Sequence, residues 1–302
     1  MNGMQNKTIK KVLGKKLEEW LHSIDDIDVQ SAARKDVIVT GGSIVSLIMG
    51  DKVNDYDVYF RTKETTRIVA QYYVDKFNSQ NQHCVVPEVR EEKLTNIKGQ
   101  EEERVVVWVQ SSGVAASNDY PVQDDDTEEP EEKLEELDNK GEKYRPVFLS
   151  ENAVTLSNKI QLVTRFYGEP DKIHDNFDFV HACCYYDHKN NKLETPVEAL
   201  RSMQSMTLKY RGSLYPLCSL FRLRKFIARG WKIGAGEILK IALQISQIDL
   251  TDPYILKEQT TGVDALYFFM VIDALKNAPK NDNGCYPPEY VIEVIERIFS
   301  DD

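Results

Sequence analysis

Apolar and polar residues follow two different patterns along this chain. Up to about residue 195, short runs rich in β-branched and aromatic residues, such as VIVT at 37–40 and VVVWV at 105–109, are separated by polar turns, which is typical of strands. From Pro196 onward, apolar residues recur at helical spacing between Gly, Pro and Asn clusters. The pattern predicts an α+β protein with a mixed sheet and flanking helices in residues 1–195, followed by a helical domain in residues 196–302.

The individual elements follow from the same pattern. Strands are predicted at 37–40, 55–60, 83–89, 104–110, 145–149, 153–156, 159–165 and 179–186, with a last short strand after a turn at 190–192. Helices are predicted at 8–24, 44–49, 62–77, 169–176, 196–208, 216–228, 236–245, 262–275 and 288–299. The sheet would be assembled from both sides of a long polar segment in the middle of the chain.

A Gly-Gly-Ser turn follows the first predicted strand. Gly41 and Gly42 permit a tight backbone turn that side chains would obstruct, and Ser43 is the predicted cap of the helix that follows. The N-terminus of a helix offers unpaired N–H groups and the positive end of the helix dipole. We therefore expect Gly41, Gly42 and Ser43 to bind the phosphates of a nucleotide.

Two aspartates stand at the start of the next predicted strand. Asp55 and Asp57 are two residues apart, so their side chains should project from the same face, roughly 6 to 7 Å apart along the backbone. Two carboxylates placed in this way suit Mg²⁺ or Mn²⁺, which can activate an attacking hydroxyl and stabilise a leaving phosphate. The spacing predicts nucleotidyl transfer.

The GGS motif at 41–43 and the DYD motif at 55–57 resemble those of the DNA polymerase β-type nucleotidyltransferase superfamily. The resemblance covers this short stretch and one later segment. It implies a nucleotidyltransferase-type sheet and a third carboxylate from a later strand, for which Asp178 in NFDFVHACCYYD fits best and Asp175 is the reserve. It also implies that Asp55, Asp57 and Asp178 are the catalytic residues and metal ligands.

A strongly acidic segment separates the predicted strands. Residues 111–143 contain few large apolar side chains and carry runs such as DDD at 124–126 and EEKLEE at 131–136. Such a run cannot bury enough surface to offset the entropy of ordering it. We predict a disordered insertion, and the alternative is that the segment mimics nucleic acid or guards a basic groove.

The first part of the helical region is positively charged, in contrast to the chain as a whole. The chain as a whole has a net charge of −11, yet eight Lys and Arg residues and no acidic residue lie between Glu198 and Glu237. Basic side chains can neutralise phosphates, and we expect nucleotide contacts from Lys209, Arg211, Arg222 and Lys225. The aromatic residues interleaved with them suit either the core or base stacking: Tyr210, Tyr215, Phe221, Phe226 and Trp231.

Composition indicates the cellular compartment in which we expect the protein. No run approaches the roughly 20 apolar residues of a membrane span, and the basic N-terminus has no apolar core of a secretory signal. Five cysteines do not suggest a disulfide framework, which predicts a cytoplasmic protein. The cysteines and histidines between His174 and His188 lack the paired spacing of structural zinc, so we expect them to be buried strand residues.

The predicted function is template-independent transfer of an NMP from an NTP, such as ATP, to an acceptor hydroxyl. The basic and aromatic segment favours an RNA end as that acceptor. Transfer to a protein or a small molecule is the first alternative. Two others stay open: an inactive module of the same fold that binds nucleotide or nucleic acid, and an assembly or inhibitor protein that works through the acidic insertion.

Overall fold

The computed structural model describes residues 3–81, 86–96, 99–109, 114–117, 141–260, 280 and 286–299. Its helices are α1 Asn6–His22, α2 Ile27–Asp36, α3 Gly42–Met49, α4 Lys63–Gln80, α5 Pro170–His174, α6 Val197–Ser205, α7 Pro216–Ala228, α8 Ala235–Ile245, α9 Pro253–Thr260 and α10 Pro288–Phe299. Its strands are β1 Val37–Thr40, β2 Tyr56–Phe60, β3 Glu88–Thr95, β4 Glu101–Trp108, β5 Val114–Ala116, β6 Pro146–Ser150, β7 Ala153–Leu156, β8 Ile160–Val163, β9 Tyr185–Asp187, β10 Lys192–Glu194, β11 Thr207–Leu208 and β12 Lys232–Ile233.

An eight-stranded mixed sheet organises the molecule, in the order β10-β9-β1-β2-β8-β7-β6-β5. Strand β2 lies near the middle, antiparallel to β1 and parallel to β8. Strands β3 and β4 form a separate antiparallel hairpin, and β11 and β12 a short parallel pair. The mixed sheet with flanking helices confirms the predicted α+β class.

Helix α1 packs on the sheet through the apolar stripe that its sequence predicts. Its buried residues recur at helical spacing: Ile9, Leu13, Leu17, Trp20 and Leu21. The indole nitrogen of Trp20 donates to the hydroxyl of Tyr73 on α4 at 2.8 Å, which links the two helices inside the core. All four residues of β1 are buried, so the strand is enclosed on both faces.

Helices α6, α7 and α8 share the main core, whereas Leu256 of α9 and Val291 of α10 belong to a second buried cluster. Met203, Leu223, Trp231 and Ile241 belong to the same buried cluster as the residues of α1 and the sheet. The predicted division of the chain at 195/196 therefore stays a prediction.

A buried ionic network ties helix α9 to the sheet region. Glu258 on α9 lies 2.9 Å from Arg165 and 3.5 Å from Arg104 of β4. All three side chains are nearly inaccessible to solvent. Buried charges are tolerated when they are paired in this way.

Several predicted elements differ from the observed ones. The predicted strand 179–186 is a 3₁₀ helix, Val180–Ala182, followed by the short strand β9. Its apolar residues reflect burial on several sides and not an extended backbone. The strand predicted at 83–89 lies further along the chain, as β3, and helices α2 and α9 had no predicted counterpart.

Two predictions fall largely outside the described residues. Of the acidic insertion predicted at 111–143, the structure describes residues 114–117 and 141–143, and Val114–Ala116 pair with β6 as an edge strand. The helix predicted at 262–275 lies wholly outside the described residues. None of the helices in the described parts of the chain combines the length and apolar character needed to span a membrane.

Candidate functional site

Asp55 and Asp57 converge on one side chain of the neighbouring strand. Asp57 on β2 lies opposite Gln161 on β8 in the parallel register. With the Gln161 amide oriented to match its partners, its nitrogen donates to Asp57 Oδ1 at 3.1 Å and to Asp55 Oδ2 at 3.3 Å. The two carboxylates therefore lie on the same face, as their spacing predicts, because a single nitrogen contacts both.

The electrostatic environment of Asp57 disfavours its charged form. Burial raises the pKa of Asp57 well above its ordinary value, the nearby Asp55 carboxylate raises this pKa further, and Arg222 opposes both effects. Tyr59 lies two residues along the same strand, and its pKa is also raised, first by burial and then by Asp57. A bound cation would relieve the repulsion between the two carboxylates.

Gly41 brings the backbone of the turn against the Asp57 carboxylate. A Cβ atom on Gly41 would lie 3.0 Å from Asp57 Oδ2, and the residue has a φ of +93°, which side chains rarely permit. Gly42 differs, because a Cβ atom there would have no neighbour within 4 Å. The first glycine is required for close approach, whereas the second borders open space.

The predicted role of Ser43 as helix cap is wrong. Helix α3 begins at Gly42 with Gly41 as its N-cap, so Ser43 lies within the first turn. The cause is the pair of glycines, which lets the chain enter the helix two residues earlier. Ser43 is only 2% exposed, and its hydroxyl is a buried polar atom that has no hydrogen-bond partner among the described residues.

A buried hydrogen-bond relay fixes the end of β1 just before the glycine turn. Thr40 Oγ1 donates to the carbonyl of Cys184 at 2.7 Å and lies 2.8 Å from His174 Nε2. Since the hydroxyl has one proton to give, His174 Nε2 must be the donor in its pair. Burial, together with Arg211, lowers the pKa of His174 to about 4, so the imidazole is neutral at neutral pH.

Asp178 is paired with a cation in the structure. Arg222 Nη1 on α7 lies 2.6 Å from Asp178 Oδ2, and the carboxylate side chain is 8% exposed against 41% for the arginine. Arg222 also acts on the pKa of Asp57 and of Tyr59, which places its guanidinium near the carboxylate pair. Arg222 therefore links Asp178 electrostatically to the region of Asp57, while the role of Asp178 as a metal ligand stays a prediction.

The other basic residues of the predicted phosphate set have different surroundings. Lys209 lies 3.6 Å from Glu198, with both side chains exposed. Arg211 donates to the sulfur of Cys183 at 2.7 Å and its backbone N–H to the carbonyl of Asp178 at 2.8 Å. Lys225 is half-buried on α7, three residues after Arg222.

Most of the aromatic residues in the basic segment belong to the core. Tyr210 and Trp231 are buried, and Phe226 packs against the same cluster. His181 lies between Phe226 and Trp231, with ring centroids 4.6 and 4.4 Å away. The side chain of Phe221 lies outside the described residues.

The carboxylate pair is the part of the site that fits a divalent cation. Mg²⁺ is commonly held by one or two carboxylates together with water and substrate phosphates, and Asp55 and Asp57 supply that donor set. Within the described ranges, no group of three or more His, Cys, Asp or Glu side chains is placed to hold a metal ion. Cys183 and Cys184 are buried free thiols.

Two contributors to the site were not predicted from the sequence. Gln161 depends on the register between two strands far apart along the chain, which no local pattern reveals. The relay of Thr40 and His174 likewise joins distant segments. The signal in the sequence was that Gln161 is a polar residue among Ile160, Leu162 and Val163.

The chain is similar in sequence to a curated phage protein. Gabija anti-defense 2 of Bacillus phage SPbetaL7 is 19% identical over 255 residues, which cover 84% of this chain. The chain spans about half of that relative, since the match covers 48% of its length.

Solved structures of CCA-adding enzymes show a distant likeness. The Thermotoga maritima enzyme complexed with tRNA is 12% identical, with a TM-score of 0.37, and the match covers 93% of this chain and 53% of that one. The Bacillus stearothermophilus enzyme in complex with CTP is 9% identical, with a TM-score of 0.35, and the match covers 86% and 50% of the two chains. At these TM-scores, no conclusion about activity follows from the likeness.

One protein-family model matches most of the chain. The family model for Gabija anti-defense 2 family proteins matches residues 11–206, which is more than half of the 302 residues and includes the glycine turn, both aspartates and Gln161. This protein therefore belongs to the Gabija anti-defense 2 family.

Proposed function

We propose that this protein is a metal-dependent nucleotidyltransferase that moves an NMP from an NTP to an acceptor hydroxyl. The observation that carries the proposal is the convergence of Asp55 and Asp57 beside the Gly41 turn at the start of α3. The resemblance of the GGS and DYD motifs to DNA polymerase β-type nucleotidyltransferases supports the same reaction.

The carboxylates and the helix start have separate tasks in this reaction. Asp55 and Asp57 would hold Mg²⁺ or Mn²⁺, which supplies Lewis-acid polarisation of the α phosphate when bound. The open space at Gly42 allows a triphosphate to lie against the N-terminus of α3. A phosphate oxygen there would also give the Ser43 hydroxyl a hydrogen-bond partner, which it does not have among the described residues.

The transfer itself breaks one phosphoanhydride bond. The oxygen of the acceptor hydroxyl forms a bond to the α phosphorus, the bond from that phosphorus to the α–β bridging oxygen breaks, and pyrophosphate leaves. The hydroxyl proton passes to water. Arg222 would neutralise charge on the triphosphate, and we assign to Asp178 the task of holding Arg222 in place.

The nature of the acceptor is a separate question. The basic segment favours an RNA end, but Lys209 and Arg222 have carboxylate partners within the chain, and Arg211 contacts a thiol. Part of the positive charge is therefore used internally. Since the chain belongs to the Gabija anti-defense 2 family, we propose that the transfer acts against the Gabija defence, with RNA, protein and small molecules as the acceptor classes to be compared.

One observation favours a non-catalytic binding module as a second candidate. The Gln161 amide satisfies both carboxylates without any cation. A module of this kind would bind NTP with Mg²⁺ but release no pyrophosphate against any acceptor.

Labelled nucleotides distinguish the two candidates. Purified protein would be incubated with each α-labelled NTP, Mg²⁺ or Mn²⁺, and extract of cells that carry the Gabija system. We expect label in one macromolecular or small-molecule fraction, loss of that label in Asp57→Asn, and sensitivity to ribonuclease if the acceptor is RNA. Binding of NTP with no labelled product and no pyrophosphate would reject the enzyme and favour the module.

A further inference from the structure

Gln161 faces the two aspartates from the adjacent parallel strand. Strand β8 lies beside β2 with Asp57 opposite Gln161 and Val58 opposite Leu162. Because residues opposite each other in adjacent strands project to the same side of a sheet, the Gln161 amide lies on the same side as the Asp57 carboxylate. Its nitrogen is within 3.3 Å of both of them.

The amide is suited to two carboxylates that have no cation between them. Its two N–H groups can donate to Asp55 and Asp57 at once, and it adds no charge to a pair that already repel each other. A carboxylate in the same position would bring a third negative charge into a partly buried cluster. Gln161 therefore stabilises the pair in the cation-free protein.

The same side chain has an oxygen that the cation-free state does not use toward the pair. Mg²⁺ and Mn²⁺ take oxygen ligands, and amide carbonyls are among them. The terminal torsion of glutamine is broad and roughly two-fold, so the amide can exchange its nitrogen and oxygen without moving the backbone. Among the described residues, no third His, Cys, Asp or Glu side chain joins the pair.

We propose that Gln161 is a third protein ligand for a divalent cation held by Asp55 and Asp57, and that its side-chain amide flips when the cation binds. This inference rests on the proposed function for the identity of the cation. In the cation-free protein Nε2 faces the carboxylates, and in the cation-bound protein Oε1 replaces it. The flip exchanges a hydrogen-bond donor for an acceptor at one position. The two carboxylates therefore have the amide N–H groups as partners without cation, and the cation as partner when it is bound.

A fixed structural role for Gln161 makes different predictions. If the amide only holds the strands together, its removal lowers the stability of the protein by the same amount with and without cation. If the Gln161 amide flips and binds the cation, replacement of Gln161 changes the cation affinity. The direction of that change depends on the charge of the new side chain.

Three variants separate these roles. Gln161→Leu keeps much of the volume but supplies neither donor nor ligand, and Gln161→Glu supplies a charged oxygen ligand but no donor. The matched control is Gln71→Glu, because the Gln71 amide donates to a carboxylate, Asp75 Oδ1, at 2.8 Å on the exposed surface of α4. Calorimetric titration of the full chain with Mn²⁺, without nucleotide, measures affinity, and thermal unfolding with and without Mn²⁺ measures stability.

We expect Gln161→Leu to weaken Mn²⁺ binding by about tenfold or more, the range in which even outer partners of metal ligands act. Gln161→Glu should melt at a lower temperature than wild type without Mn²⁺, bind Mn²⁺ more tightly, and gain more in melting temperature when Mn²⁺ is added. Gln71→Glu should match wild type in affinity. If Gln161→Glu does not fold without cation, refolding in Mn²⁺ should recover it.

Two results would overturn the inference. One is wild-type Mn²⁺ affinity in both Gln161 variants, and the other is weaker binding in Gln161→Glu than in Gln161→Leu. Asp57→Ala distinguishes this failure from failure of the proposed function. Loss of Mn²⁺ binding in Asp57→Ala with no effect of Gln161 would reject only the ligand role of Gln161, whereas unchanged binding in Asp57→Ala would reject the metal site as a whole.

Discussion

Arg222 on α7 and Asp178 before the 3₁₀ helix form an ion pair at 2.6 Å between the helical region and the sheet. The aspartate is almost completely buried, whereas the arginine keeps 41% of its side chain exposed. The pair therefore places a positively charged group near the carboxylates of Asp55 and Asp57.

We expect Asp178→Asn to weaken NTP binding by about tenfold, equivalent to about 1.4 kcal/mol, and to leave Mn²⁺ affinity unchanged. The reason is that the variant releases Arg222 but removes no ligand of the cation. Arg222→Met should weaken NTP binding at least as much, and the double variant should add little to either change. Calorimetric titration with NTP and with Mn²⁺ separates the two effects.

Glu198→Gln is the control for this pair, since it breaks the exposed contact with Lys209 at 3.6 Å and should leave both affinities as they are. Loss of Mn²⁺ binding in Asp178→Asn would instead support the role of Asp178 as a metal ligand, as the family resemblance implies.

We expect Asp57→Asn to reduce transfer by about a hundredfold or more, as is usual when a group that positions charge in a transition state is lost. The free energy of unfolding without cation should be equal to that of wild type or higher. Burial and Asp55 raise the pKa of Asp57, so the charged form is the costly one in the folded protein. Chemical denaturation and pyrophosphate release measure the two properties.

The pH dependence of this difference has a fixed sign. A carboxyl whose pKa is raised by folding favours the folded state at low pH and loses that contribution as pH rises through the folded pKa. The stability of wild type relative to Asp57→Asn should therefore fall as pH rises above the ordinary range of an aspartate. A relative stability that rises with pH would contradict the assigned environment of Asp57.

The two glycines of the turn should respond differently to alanine. Gly41→Ala places a Cβ atom 3.0 Å from Asp57 Oδ2 at a φ of +93°, and backbone strain of this kind costs about 1–3 kcal/mol. Gly42→Ala meets nothing within 4 Å, so it should leave stability nearly unchanged and weaken NTP binding if the phosphates lie there. Equal losses of stability in the two variants would contradict the described turn.

His181 should make the protein less stable in acid. Burial among the aromatic rings lowers the pKa of His181 to about 4, although nearby Asp178 opposes the shift. Between the ordinary histidine pKa of about 6.5 and that value, the unfolded chain binds a proton that the folded chain does not, so stability falls as pH falls.

His181→Phe removes this loss while keeping an aromatic ring. We expect the variant to gain on the order of 3 kcal/mol relative to wild type between pH 6.5 and pH 4, a figure that assumes one histidine with the full shift. Urea denaturation at several pH values measures the gain. If the free energy of unfolding changed with pH in the same way for the two proteins, His181 would have the same pKa in the folded and unfolded states, which would contradict this prediction.

The parts of the site that the sequence predicted are the local ones. Gly41, Asp55 and Asp57 lie within a short stretch whose turn and strand follow from residue type alone. The side chains of Asp55 and Asp57 converge because a strand places residues two apart on the same face. The helix start differed by two residues, because α3 begins at Gly42 without any side-chain cap.

The parts that were missed depend on packing between distant segments. The run Phe179 to Tyr186 is apolar because it is enclosed, with Phe179 bridged to Tyr210, and apolar character alone does not distinguish a buried turn from a strand. The partner of Asp178 could not be predicted either, since Arg222 reaches it from a helix of the later region. The hydrophobic pattern predicts which residues are buried, but it does not predict which charged side chains form pairs.

The parallel pairing of β2 and β8 makes the site a late product of folding. Asp57 and Gln161 lie roughly one hundred residues apart in sequence, and contacts of such separation form slowly because a long loop must close first. A chain with only its local structure formed would have the glycine turn and the aspartates but no amide opposite them. During refolding, helical signal should return before the chain regains its capacity to bind Mn²⁺.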